Sequence, residues 1–115
     1  MFLNRTRVGV LGGSFDPIHI GHLQMCVQVL NQNLVDEVYL IPCGDRVDKV
    51  LKTEGEHRLR MTEIGVEEYF QKQFPIFVKD IEIKNGGSIP TYDLLKQLQT
   101  LENDKEFFFV IGYFF

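Results

Sequence analysis

Short apolar runs alternate along this chain with stretches in which apolar residues recur at every third or fourth position. Arg7 to Gly12 (RVGVLG) is a run of the first kind, closed by a glycine pair, and predicts a buried strand. From Gly21 the period changes: Leu23, Cys26, Val27, Leu30 and Leu34 fall on one face of a helix. Glu37 to Ile41 (EVYLI) predicts a second strand, stopped by Pro42, and a polar loop runs from Cys43 to Lys52. Thr53 and Glu56 have capping-box spacing, so a second helix is expected from there to about Phe70, with Arg58 on its surface. Pro75 to Lys84 predicts a third strand, with Ile81 and Ile83 alternating against Glu82 and Lys84. Asn85-Gly86-Gly87 is a loop, Leu94, Leu95, Leu98 and Leu101 mark a third helix, and Phe107 to Gly112 is a fourth strand.

Strands alternating with helices predict an open α/β fold, a parallel sheet with right-handed crossovers, as one domain over residues 1–115. Ligands of such sheets bind outside the carboxyl ends of the strands, where the segment from Gly12 to His22 must lie. The composition, 44% hydrophobic and 24% charged, is that of an ordinary globular protein. A net charge of -4 and a pI near 5.3 argue against a nucleic-acid-binding surface. A phosphate-bearing ligand must therefore be held by a local device. Cys26 and Cys43 have no metal-ligand spacing and read as reduced, small apolar residues. No apolar run approaches the roughly 18 residues of a membrane span, and no hydrophobic signal segment opens the chain. A cytoplasmic protein without a membrane partner is expected.

The stretch that carries chemistry is GGSFDPIHIGH, Gly12 to His22, directly after the first strand and opening the first helix. Gly12 and Gly13 let the backbone turn sharply and approach a ligand. The helix start offers unpaired N–H groups and a partial positive charge, a ready site for phosphate. His19 and His22 are three apart, so both imidazoles can serve one phosphate group, with Gly21 leaving room between them. The chain has neither a G-x-x-x-x-G-K-[ST] nor a G-x-G-x-x-G, so neither a P-loop nor a dinucleotide fingerprint explains this turn. A zinc site would need a third ligand and another spacing, and no metal ligands are assigned.

With these residues in place, the segment closely resembles the signature of the nicotinamide/nicotinic acid mononucleotide adenylyltransferases, within the H-x-G-H nucleotidyltransferase superfamily. His19, Gly21 and His22 stand as the H-x-G-H itself. The resemblance continues through Asp36 to Pro42 (DEVYLIP), His57 to Met61 (HRLRM) and Ser88 to Leu98 (SIPTYDLLKQL). It implies a Rossmann-like sheet and transfer of the adenylyl group of ATP to a pyridine mononucleotide in NAD biosynthesis, with Mg²⁺ accompanying ATP. By the same resemblance His19 and His22 hold the ATP phosphates, and Gly12, Gly13, Ser14 and Phe15 shape the floor of both nucleotide sites. Lys49 would contact phosphate, although a solvated lysine beside Arg46, Asp48 and Lys52 accounts for it equally. Thr91 would face the pyridine ring, or simply cap the third helix.

The resemblance also implies parts that do not follow here. Members of the family continue from the fourth strand into a Gly-x-Asp segment and a later Ser/Thr-rich phosphate motif. This chain ends Gly112-Tyr113-Phe114-Phe115, with five of its ten Phe in the last nine positions. The expected sheet is incomplete at the C-terminus. Truncation, a fragment, and a homo-oligomer that covers the Phe-rich end all remain open. So do two other functions: a catalytically incompetent nucleotide-binding module, and a sister enzyme acting on phosphopantetheine or glycerol phosphate.

Overall fold

A computed structural model describes residues 5–45, 54–72 and 74–111. Its four strands are β1 (Thr6–Gly13), β2 (Glu37–Pro42), β3 (Ile76–Val78) and β4 (Lys105–Phe109). They form one sheet in the order β3-β2-β1-β4, and every pairing is parallel. The helices are α1 (Ile20–Asn31), α2 (Gly55–Tyr69), α3 (Ile81–Asn85) and α4 (Thr91–Leu101).

The period-two alternation of the central strands divides the core between the two faces of the sheet. Leu11, Val38 and Leu40 point to one face and pack with Leu23 and Cys26 of α1. Val8, Val10, Tyr39 and Ile41 point to the other, against Leu94 and Leu98 of α4. Both faces are therefore covered by helix, which is why these strands read as nearly unbroken apolar runs. Burial pushes the Cys26 thiol up to about 12, in keeping with its reading as a small apolar residue.

From β1 the chain steps outward through β2 to β3, then returns to the opposite side of β1 for β4. The reversal leaves a crevice between the carboxyl ends of β1 and β4, the place where open α/β sheets bind ligands.

Four expectations need correction. The first helix stops at Asn31, and Asn33 turns the chain at φ 58°, so Leu34 is 55% exposed and Val35 enters the core instead. Asn tolerates that left-handed conformation better than most residues. The second helix begins at Gly55, and its N-cap Glu54 makes no side-chain cap bond; Thr53 lies outside the described residues. The third strand covers only Ile76–Val78, and the alternating Ile81 to Lys84 is the short helix α3. Its side chains diverge: Ile81 packs on the α4 side of the core, Glu82 accepts a bond from the Gly44 amide at 3.0 Å, and Ile83 meets Gly55. Four alternating residues are too few to separate a strand from one helical turn. Finally, β4 starts at Lys105 and ends at Phe109, and Gly112 lies outside the described residues.

Candidate functional site

The site begins where β1 ends. The Gly13 carbonyl accepts a hydrogen bond from the Cys43 amide at 2.8 Å, which ties the loop after β1 to the loop after β2. A Cβ on Gly13 would stand 3.1 Å from the Phe15 ring, so glycine there lets the aromatic side chain fold back under the turn. Phe15 does so at φ 47°, in the left-handed region, with 2% of its surface exposed. A bulky residue held at positive φ is uncommon and needs its surroundings to hold it.

The two histidines cap the helix they open. His19 is the N-cap of α1 in extended backbone, and its Nδ1 accepts from the Gly21 amide at 3.1 Å. Reciprocally, the His22 Nδ1 accepts from the His19 amide at 3.0 Å. An imidazole nitrogen that accepts carries no proton, so each neutral ring holds its proton on Nε2 and can donate from there. The rings stack with centroids 3.7 Å apart, and the Phe15 ring meets His22 edge-on at 4.9 Å. Burial, with a smaller contribution from His19, pushes His22 down to about 4. At neutral pH it is therefore an uncharged N–H donor, not an acid.

A cavity of about 220 Å³ opens at the crevice between β1 and β4. Gly12, Gly13, Phe15 and His22 line it from one side and Phe109 and Ile111 from the other. The structure thus brings four of the expected residues to one cavity, with Ser14, His19 and Gly21 beside them on the same loop and helix start. It does not bring Thr91 there. Thr91 is the exposed first residue of α4, after the N-cap Pro90, so it does not cap the helix either. A larger concavity, about 630 Å³, runs along α4 between Ser88 and Leu101 and contains no part of the histidine loop. Lys49 lies outside the described residues.

Arg58 was expected on the helix surface and is instead fully buried. From the first turn of α2 its guanidinium donates to the Ser14 carbonyl at 2.9 Å and to Asp45 Oδ1 at 3.1 Å, and contacts the Cys43 sulfur at 3.7 Å. One signal was available in the sequence. Gly55, Arg58, Thr62 and Gly65 share a helix face, and three of them are small. Small residues mark where a helix comes closest to its neighbours: a Cβ on Gly65 would stand 2.8 Å from the Ile18 side chain. Among the described residues, no three His, Cys, Asp or Glu side chains gather to hold a metal ion, and no helix is long and apolar enough to cross a membrane.

Comparison with known proteins gives the arrangement a context. The chain is 38% identical over 113 residues to the probable nicotinate-nucleotide adenylyltransferase of Enterococcus faecalis, covering 96% of this chain and 50% of that protein. It is 40% identical over 112 residues to the protein of the same description in Dehalococcoides mccartyi, covering 93% and 52%. Among solved structures it is similar to Plasmodium falciparum nicotinic acid mononucleotide adenylyltransferase complexed with NaAD, with a TM-score of 0.77, 34% identity and coverage of 93% and 52%. The chain spans about half the length of the curated relatives it matches. The cytidylyltransferase-like family matches residues 10–113. A match that runs unbroken from within β1 past the end of β4 takes in the whole histidine loop, and the chain belongs to the cytidylyltransferase-like family.

Proposed function

We propose that this chain carries the phosphate-binding part of a nicotinate-nucleotide adenylyltransferase, which moves the adenylyl group of ATP onto nicotinic acid mononucleotide in NAD biosynthesis. The observation that carries this reading is the reciprocal His19–His22 cap at the start of α1, beside the cavity between β1 and β4. Both rings accept through Nδ1, so both present Nε2–H donors beside the partial positive charge of the helix N-terminus. The names of the similar proteins supply the acceptor.

In the reaction a phosphate oxygen of the mononucleotide attacks the α-phosphorus of ATP. The new P–O bond forms as the α–β bridging bond breaks, and pyrophosphate leaves with the electron pair. The attacking oxygen is already anionic, so no strong general base is needed. What the protein supplies is alignment and donors that meet charge on the phosphates. A neutral His22 suits that task, since it donates without first losing a proton. Mg²⁺ enters as the counterion of the ATP phosphates and neutralises the leaving pyrophosphate. Lys49 joins the phosphate contacts and Thr91 the acceptor side in this reading. Phe108, Phe109 and Ile111, exposed along the outer strand β4, make association between copies part of it, checked by sedimentation.

The test is calorimetric titration of MgATP with and without nicotinic acid mononucleotide, together with an assay for released pyrophosphate. Release that needs both nucleotides and disappears in His22→Ala supports an enzyme. ATP binding without release reduces the chain to a nucleotide-binding module, and no binding at all overturns the reading.

A further inference from the structure

We propose that Arg58 is a positioning residue for the histidine loop, acting from α2 through the Ser14 carbonyl and Asp45. The proposal rests on the reading of that loop as a phosphate site. Arg58 has no exposed surface and stands in the first turn of α2, at the positive end of the helix dipole. Burial and position both disfavour a cation there, so its presence is not explained by the stability of α2.

Its contacts supply the explanation. One guanidinium nitrogen donates to Ser14 O at 2.9 Å, in the loop after β1, and the other to Asp45 at 3.1 Å, in the loop after β2. The side chain therefore fixes two loops against each other at the carboxyl ends of neighbouring strands. Ser14 immediately precedes Phe15, whose φ of 47° and buried ring set the edge-on contact with His22 at 4.9 Å. Holding the Ser14 carbonyl holds the peptide plane that enters this left-handed residue, and the position of Phe15 in turn determines how deeply His22 is buried. The same helix braces the loop a second time, where Gly65 lies against Ile18, next to His19.

The test follows His22 itself by NMR titration in full-length Arg58→Lys and Arg58→Met, and separately the affinity for MgATP. In the native chain His22 should titrate near 4. If Arg58 positions the loop, His22 in Arg58→Met moves up toward its ordinary 6.5 and MgATP binds about tenfold more weakly, with Arg58→Lys intermediate. A merely structural arginine lowers the melting temperature and leaves the folded protein's His22 titration and ATP affinity alone, which overturns the proposal. Should both variants fail to fold, Asp45→Ala decides: its side chain is 67% exposed, so the core does not depend on it, and it releases one of the two loop contacts. A smaller shift of His22 in the same direction sustains the positioning role, and an unmoved His22 overturns it. The His22 titration needs no turnover, so it reads the positioning role even if the chain proves unable to catalyse the transfer.

Discussion

The two ends of the sheet each gather charged side chains, but the amino ends do so in half-solvated positions and the carboxyl ends in buried ones. At the amino ends, Lys105 of β4 reaches Glu37 of β2 at 3.0 Å, the Tyr39 hydroxyl at 2.9 Å and Glu102 at 3.2 Å. These side chains keep between a fifth and a third of their surface exposed, Lys105 at 21% and Glu102 at 32%. Nearby, Arg7 pairs with Asp36 at 3.1 Å in a still more exposed setting. At the carboxyl ends a single guanidinium, Arg58, is wholly enclosed and spends its donors on loops. The amino-end group joins secondary-structure elements that the core already holds together. The carboxyl-end group joins irregular backbone that has no ladder of its own to fix it. Polar burial is concentrated where geometry must be set, and solvated pairing serves where only cohesion is needed.

The largest effect should come from His22. His22→Ala should lower adenylyl transfer by roughly a hundredfold or more while the melting temperature changes little, because a donor to the phosphates is lost without a core contact. If turnover survives that change, the carboxyl end loses its claim to be the chemical end. Lys105→Met is the matching change at the amino end. It should cost about 1 kcal/mol in urea unfolding, the modest figure reflecting solvent screening, and leave MgATP affinity unchanged. A Lys105 variant that weakened nucleotide binding would dissolve the distinction between the two ends.

The smallest effects are in pH dependence, where the two ends should respond in opposite directions. His22 is held below its ordinary 6.5, at about 4, by burial and by His19. Between those values the unfolded chain takes up a proton that the folded one refuses, so stability falls as pH drops from about 6.5 to about 4. His22→Asn should remove that part of the slope. Lys105 is raised above its ordinary 10.5, first by its bond to Tyr39 and despite some desolvation. Its contribution is therefore complete below 10.5 and is lost as pH rises through the higher folded value. Glu102, which burial pushes up but bonds from Tyr39 and Lys105 hold down overall, contributes above its ordinary 4.5 and fades as pH falls further. Urea unfolding across pH in the native chain, His22→Asn and Lys105→Met separates the two ends.

The fold was legible because its signals are local. β1, β2 and α4 follow from runs and periods within a dozen residues, and the start of α1 from the change of period after Gly21. Leu34 and Ile81 to Lys84 misled for the same reason. A helical period says nothing of where Asn33 turns the chain, and a four-residue alternation has no length to arbitrate it. Thr91 shows the limit at the site, since a position in the sequence segment did not place its side chain on the cavity wall.

The sequence by itself determined the order of strands and helices and the position of the glycine turn with its two histidines, since each depends on residue types a few positions apart. Only the tertiary structure decided that β4 returns beside β1 to open a cavity, that the imidazoles cap one another, and that Arg58 is buried. Arg58 and Ser14 are 44 residues apart in the chain, and no local period records a contact at that distance. Whether a charge is solvated or enclosed depends on which distant elements close around it, and here α2 closes onto the loop that carries the histidines.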